Sequence, residues 1–390
     1  MNKRSVRDLD VGGRRVLVRV DFNVPLKDGE VTDDTRIRRA LPTIRYLLSE
    51  GARPVLISHL GRPKGEPDPQ YAMNPVAARL EELLGEPVEK LDAAVGPEVE
   101  EALESWDGSG VVLLENSRFY PGETKNDPGL ADQLAALADL YVDDAFGAAH
   151  RAHATTVGVA ERLPAAAGLL LEEEIDYLDT VLEDPERPFV AILGGAKVSD
   201  KLGVIESLLG TADSLLVGGA MCFTFFKALG YEIGDSLVED DYLEEAKRLM
   251  GEAGDRLVLP VDVVVADAME EGAESETVQV DAIPSGKMGL DIGSETVELF
   301  RGHISGASTV FWNGPMGVFE IDAFAKGTEG VARAVADSRA TSVVGGGDSV
   351  AAVNKLGLED RMSHISTGGG ASLEYVEGKE LPGVAVLPDK

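Results

Sequence analysis

Along the chain, short runs of apolar residues alternate with longer stretches in which apolar positions recur every three or four residues. Val16–Val20, Pro54–Ser58, Val111–Leu114 and Tyr141–Asp143 have the length and apolar character of buried strands. The stretches between them, Thr35–Glu50, Asn74–Gly85 and Pro128–Leu140, carry the period of amphipathic helices. Such alternation predicts a parallel sheet covered by helices on both faces. The rhythm breaks at Leu169–Asp184, an acidic stretch with Leu170, Ile175, Leu178 and Leu182 at helical spacing, closed by Asp-Pro-Glu-Arg-Pro. It resumes at Phe189, with strands expected near Val190–Leu193, Ser214–Val217, Arg256–Pro260, Thr309–Trp312 and Thr341–Val344. The chain therefore reads as α/β, two doubly wound parallel-sheet halves joined by a helical connector.

In the second half, strands end in glycine pairs or triplets and lead into helices. The pattern occurs at Leu193-Gly194-Gly195-Ala196-Lys197, Val217-Gly218-Gly219-Ala220, Val344-Gly345-Gly346-Gly347-Asp348-Ser349 and Ser366-Thr367-Gly368-Gly369-Gly370. Glycine allows a sharp turn and close ligand approach, and the following helix offers free N–H groups and the positive end of its dipole. Four such turns favour a polyphosphate site over plain tight turns. There is no Walker A loop and no G-x-G-x-x-G fingerprint at a strand end, so a nucleotide would need a different cradle. Lys197 and Lys201 are four residues apart and share a helical face if the helix begins early. Asp348 suits either a helix cap or a Mg²⁺ ligand beside phosphates.

The first half gathers cations after its strands. Arg36 follows the Asp21–Pro25 turn, Arg62 follows His59-Leu60-Gly61, Arg118 follows Asn116-Ser117, and Arg151 lies between His150 and His153. Guanidinium forks at equivalent strand ends suit a small anion bearing phosphate or carboxylate.

This matters more because the whole is so acidic. Among 390 residues, 69 Asp and Glu oppose 36 Lys and Arg, a formal net charge of −33. That disfavours nucleic acid and anionic membranes as partners. Adaptation to high intracellular salt and compositional drift both account for the excess, and a melting curve against KCl separates them. One cysteine, Cys222, excludes an internal disulfide and a Cys-based zinc site, and is read as a small apolar packing group. No run reaches the ~18 apolar residues of a membrane span, and Met1–Gly13 is not of the secretory kind. A soluble, intracellular protein is expected.

Val20-Asp21-Phe22-Asn23-Val24-Pro25, Ser58–Pro63, Pro121-Gly122-Glu123, Ala145–His153, Leu193–Lys201, Trp312–Glu320 and Gly345–Ser349 together closely resemble phosphoglycerate kinase of the bacterial type, over essentially the whole chain. The resemblance implies two Rossmann-like domains with a cleft between them. Residues 1–168 would bind 3-phosphoglycerate, 169–187 connect, 188–373 bind nucleotide, and 374–390 return to the first domain. It implies reversible transfer between ATP and 3-phosphoglycerate, giving ADP and 1,3-bisphosphoglycerate, with Mg²⁺, in a cytoplasmic monomer of glycolysis and gluconeogenesis.

By the same resemblance Asp21, Asn23, Arg36, His59, Arg62, Arg118 and Arg151 bind the triose acid, with Leu60 and Gly61 in the same segment. Lys201, Glu320, Gly346, Gly347, Asp348 and Ser349 take nucleotide-binding positions, Glu320 at the ribose and Asp348 at Mg²⁺. Gly194, Gly195, Gly218, Asn313 and Pro315 shape the nucleotide pocket, and Arg36 and Lys197 attend the moving phosphoryl group. Ser117, Tyr120, Asp143 and Ala220 depart from the family pattern, and the added carboxylate of Asp143 is expected to weaken anion binding at low salt. An NAD(P)-linked oxidoreductase would lack its fingerprint here. A non-catalytic anion binder would leave Lys197, Asp348 and Glu320 in register without a reason.

Overall fold

The computed structural model describes residues 2–390. It divides into two compact units, one made of residues up to Asp176 together with Glu380–Lys390, the other of Tyr177–Lys379.

The first unit holds a six-stranded sheet. Its strands are β1 (Arg15–Val20), β2 (Arg53–Ile57), β3 (Val88–Lys90), β4 (Val111–Leu113), β5 (Leu140–Asp144) and β6 (Ala165–Ala167), in the spatial order β3-β4-β2-β1-β5-β6. Every pairing is parallel. All five residues of β5 are buried, as strands covered on both faces require. Helix α1 (Thr35–Ser49) turns Ile37, Ala40, Leu41, Ile44 and Leu47 inward, the spacing that the sequence showed. Helix α2 (Asn74–Leu84) opens with Pro75 and closes on Gly85 at φ +74°, a left-handed cap that favours glycine. Helices α3 (Pro97–Ser105) and α4 (Pro128–Ala135) complete the set. Helix α4 is shorter than expected, because the chain turns at Ala136–Asp139 and enters β5 at Leu140.

Helix α5 (Leu169–Leu182) is shared between the units, which divide at Asp176 and Tyr177. Its first N–H groups are met from the first unit, where Thr43 Oγ1 accepts Leu169 N–H at 2.9 Å and Asp144 Oδ1 accepts Leu170 N–H at 2.9 Å.

The second unit repeats the architecture with β7 (Phe189–Leu193), β8 (Ser214–Val217) and β9 (Leu257–Val258). An antiparallel trio, β10 (Asp262–Ala266), β11 (Ser275–Gln279) and β12 (Met288–Ile292), precedes β13 (Thr309–Asn313), β14 (Thr341–Gly345) and β15 (His364–Ile365). The main sheet runs β9-β8-β7-β13-β14-β15, all parallel. The antiparallel trio was not foreseen. Helices α6 (Leu202–Thr211), α7 (Cys222–Ala228), α8 (Leu243–Ala253), α9 (Ser294–Ser305), α10 (Lys326–Asp337), α11 (Gly347–Lys355) and α12 (Gly369–Val376) surround the sheets. Helix α6 starts eight residues after β7, so Lys197 sits in a loop and Lys201 caps the helix. The two lysines do not share a helical face.

The last helix, α13 (Pro382–Ala385), belongs to the first unit. Gly383 N–H donates to Ala149 O at 2.8 Å, and Arg4 N–H donates to Pro388 O at 2.8 Å. Among the described residues no helix is long and apolar enough to cross a membrane.

Candidate functional site

The carboxyl ends of β1, β2, β4 and β5 release the chain toward one cavity of about 450 Å³ in the first unit. Asp21, Asn23, Arg36, His59, Arg62, Arg118 and Arg151 all line it, joined by Thr124, His150 and His153. Leu60 and Gly61 do not. Leu60 is buried in the core of the unit, and Gly61 gives its carbonyl to Arg118 Nη1 at 2.7 Å. Arg36, in the first turn of α1, donates through Nη1 to Asn23 O at 2.8 Å and lies 3.3 Å from an Asp21 carboxylate oxygen. Four guanidinium groups thus face a single lining carboxylate.

Beneath them lies Arg19, a fully buried residue of β1 that the sequence reading did not single out. A charged residue inside Val-Leu-Val-Arg-Val was the available signal. Arg19 donates to Thr155 Oγ1 at 2.9 Å, to the Val20 carbonyl, and to His59 Nδ1 at 3.0 Å. Because arginine only donates, His59 Nδ1 must accept, which places the proton of a neutral ring on Nε2. Burial, reinforced by Arg19, Arg118 and Arg36, holds His59 well below the ordinary histidine range. Burial, with Arg19, Arg118, His150 and Arg151, brings His153 down to about 4. Both rings are neutral at pH 7, so the cavity's positive charge is carried by arginine. Glu123, fully buried, balances Arg19 through Thr155, whose hydroxyl donates to Glu123 Oε1 at 2.5 Å.

Asp143 does not line the cavity. It is fully buried on β5, in register with Arg19, and burial pushes its carboxyl up to about 7. It therefore carries only part of a charge at neutral pH, and it acts on the cavity from behind the wall, through its neighbours Arg19 and Asp21.

A second cavity, of about 740 Å³, opens in the second unit. Its walls are mostly apolar, with Phe223, Leu237, Met269, Met288, Leu290 and Val318 prominent. Gly195, Pro315, Glu320 and Asp348 line it as expected, whereas Gly194, Lys197, Lys201, Gly218, Asn313, Gly346, Gly347 and Ser349 do not. The antiparallel trio supplies Met288–Ile292, which no sequence motif had marked.

Two of the expected glycines, Gly194 and Gly218, leave room for close packing by the neighbouring 315–316 loop. A Cβ on Gly194 would lie 2.0 Å from Pro315 O, and one on Gly218 would lie 2.5 Å from Met316 Sδ. Gly194 N–H reaches Asn313 O at 3.0 Å, and Gly219 N–H reaches Met316 O at 3.0 Å. Ser349, fully buried, accepts the Gly314 N–H at 2.5 Å. Three loops are thus pressed together at the sheet edge with no room for side chains between them.

Asp348 is exposed in the first turn of α11, but Gly346 is the cap and no side chain caps the helix. That removes the capping role and leaves its carboxylate facing the cavity mouth. Lys197 is exposed in its loop. The Lys201 ammonium donates to Asn313 Oδ1, and burial lowers it to about 8. Asn313 Nδ2 is buried without an acceptor among the described residues. Cys222 is buried at the cavity wall, and burial pushes its thiol up, as a packing role requires.

The chain matches the phosphoglycerate kinase family over residues 6–379. It is 80% identical to the phosphoglycerate kinase of Rubrobacter xylanophilus over 390 residues, covering 100% of this chain and 99% of that one. It is 57% identical to that of Thermosipho africanus over 397 residues, covering 100% and 99%. Among solved structures, phosphoglycerate kinase from Coxiella burnetii superposes with a TM-score of 0.89 at 43% identity, covering 98% of each chain. The enzyme from Pyrococcus horikoshii superposes at 0.86 with 35% identity, covering 98% of each. With two parallel α/β units, a cavity walled by arginine and another walled by glycine turns and apolar side chains, the chain belongs to the phosphoglycerate kinase family, phosphotransferases of glycolysis.

Proposed function

We propose that the first unit's cavity takes 3-phosphoglycerate or 1,3-bisphosphoglycerate and the second unit's cavity takes ADP or ATP, in a cytoplasmic enzyme that works as a monomer. The observation that carries this reading is the placing of Arg36, Arg62, Arg118 and Arg151 around one small cavity in a chain of net charge −33. Phe223, Leu237 and Met288 suit the flat faces of a nucleobase. Asn313 Nδ2, Lys201 and the amino end of α11 would meet the phosphates.

Among the described residues no group of three or more His, Cys, Asp or Glu side chains could hold a metal ion unaided. A single carboxylate such as Asp348 is nonetheless what Mg²⁺ uses when phosphate oxygens and water fill its other positions. When bound there, the ion would offset charge on the phosphates.

The acceptor is a carboxylate, already ionised at pH 7, so no general base is needed. Arg36 and Lys197 would stabilise charge on the oxygens of a loose, metaphosphate-like group in flight. Arg36 holds Asn23 and Asp21 through Nη1, and Nε and Nη2 are its further donors. In-line transfer requires acceptor and donor to be aligned and water to be excluded.

The test is calorimetric titration of 3-phosphoglycerate and of ADP. Arg62→Ala is expected to weaken the triose acid by roughly tenfold or more while leaving ADP within about twofold. Equal weakening of both ligands, or of neither, rejects the assignment.

A further inference from the structure

Asn116 is fully buried just beyond β4, and its side-chain amide has no hydrogen-bonding capacity left. Oδ1 accepts Leu60 N–H at 3.2 Å and Arg118 N–H at 3.0 Å. Nδ2 donates to Leu60 O at 2.8 Å and to Tyr71 O at 2.9 Å. A primary amide has two acceptor lone pairs and two donor hydrogens, and all four are spent here.

The placement follows from the sheet. Strands β2 and β4 pair in parallel as far as Leu56 and Leu113, and Leu114 N–H still reaches Leu56 O at 2.9 Å. Beyond that point one more backbone bond joins the segments, from Ser117 N–H to Ser58 O at 3.0 Å, and the Asn116 side chain satisfies both backbone groups of Leu60. A ring closes when Arg118 Nη1 donates to Gly61 O at 2.7 Å. The turn is pressed further into shape at Gly61, where φ is +60° and a Cβ would stand 2.2 Å from the Tyr71 ring. Glu115 Oε1 fixes Asn116 from behind, accepting its N–H at 2.7 Å and that of Met73 at 2.9 Å.

Two of the cavity's four arginines, Arg62 and Arg118, therefore hang on segments tied to one uncharged residue that does not itself line the cavity. We propose that Asn116 is a positioning residue for the triose acid, locking the Leu60–Arg62 turn and Arg118 into one rigid unit before the acid arrives. Ordering arginine side chains beforehand removes part of the entropy that binding would otherwise cost. The inference rests on assigning the first cavity to the triose acid.

Steady-state kinetics with both substrates tests it. Asn116→Asp keeps the shape and turns an oxygen toward the Leu60 and Tyr71 carbonyls. It is expected to raise the KM for 3-phosphoglycerate by roughly tenfold or more, with the KM for ATP within about twofold. An equal rise in both constants marks a general structural role and overturns the proposal, as does no rise in either. Arg118→Ala separates the two levels of the argument. If it raises the triose-acid KM and Asn116→Asp does not, the cavity assignment stands and the positioning role falls. If Arg118→Ala also leaves that KM unchanged, the assignment itself falls.

Hydrogen exchange on the unaltered protein decides the matter even if the variant does not fold. The Leu60 and Arg118 amides should be protected without ligand and gain little when 3-phosphoglycerate is added. Amides that exchange freely until the acid binds would overturn a preset pocket.

Discussion

The two cavities solve opposite problems with different materials. In the first unit, side chains do the work, since four guanidinium groups line the cavity and a buried scaffold of Arg19, Glu123, Thr155 and Asn116 holds the surrounding segments. In the second, the backbone does it, because glycine loops close on one another and leave an apolar slot. A small, highly charged acid offers little apolar surface, so its recognition must come from charge-assisted hydrogen bonds. A nucleotide has a large flat base, and burial of that base can supply much of the affinity. The contrast teaches where each site is vulnerable, the first to loss of one side chain and the second to gain of one.

The largest expected effect lies where both substrates must be served. Arg36→Ala should lower kcat by about a hundredfold or more, as removal of a transition-state donor does. Stopped-flow or coupled kinetics reads it, and a turnover near that of the unaltered enzyme would remove Arg36 from the reaction. Next comes Gly194→Ala, whose Cβ would have to sit 2.0 Å from a backbone oxygen. The loop must shift, at a cost on the order of 1–3 kcal/mol. ADP titration should show lost affinity, while 3-phosphoglycerate binding should be preserved. If both ligands bind normally, the backbone account of the second site is wrong.

The smallest effect concerns pH. Lys201 sits near 8, so its charge is present below that value and lost above it. ADP affinity should fall about tenfold or less between pH 7 and 9, as a charge-assisted contact to the phosphates is lost. Triose-acid affinity should change less over the same range, because His59 and His153 are already neutral and Asp143, which titrates near 7, does not line that cavity. Parallel pH profiles for the two ligands would erase the distinction.

Much of this was legible from the chain. Buried strands such as β1, β7 and β13 announce themselves as apolar runs, and strand ends mark where ligand residues must fall in a parallel sheet. What could not be read was set by contacts distant in sequence. Arg19 looked like a charge out of place until Thr155 and His59 were brought to it. Asn116 is marked in the sequence only as a neighbour of Arg118, since the spacing to Leu60 and Tyr71 says nothing of a shared amide. Whether Lys197 and Lys201 share a helical face depended on where α6 begins, and Gly194–Lys201 forms a loop before it. The packing contacts of the strand-end glycines could not be read either, as a tight turn and a tight backbone contact leave the same letter in the sequence.

The first unit draws its last piece, Glu380–Lys390, from beyond the whole of the second. A ribosome therefore finishes every residue of the second unit before it releases the segment that completes the first. That segment docks through Gly383 on Ala149, beside the turn that carries Arg151. During synthesis every residue of the second unit is therefore available to fold before the segment that docks beside the Arg151 turn has been made.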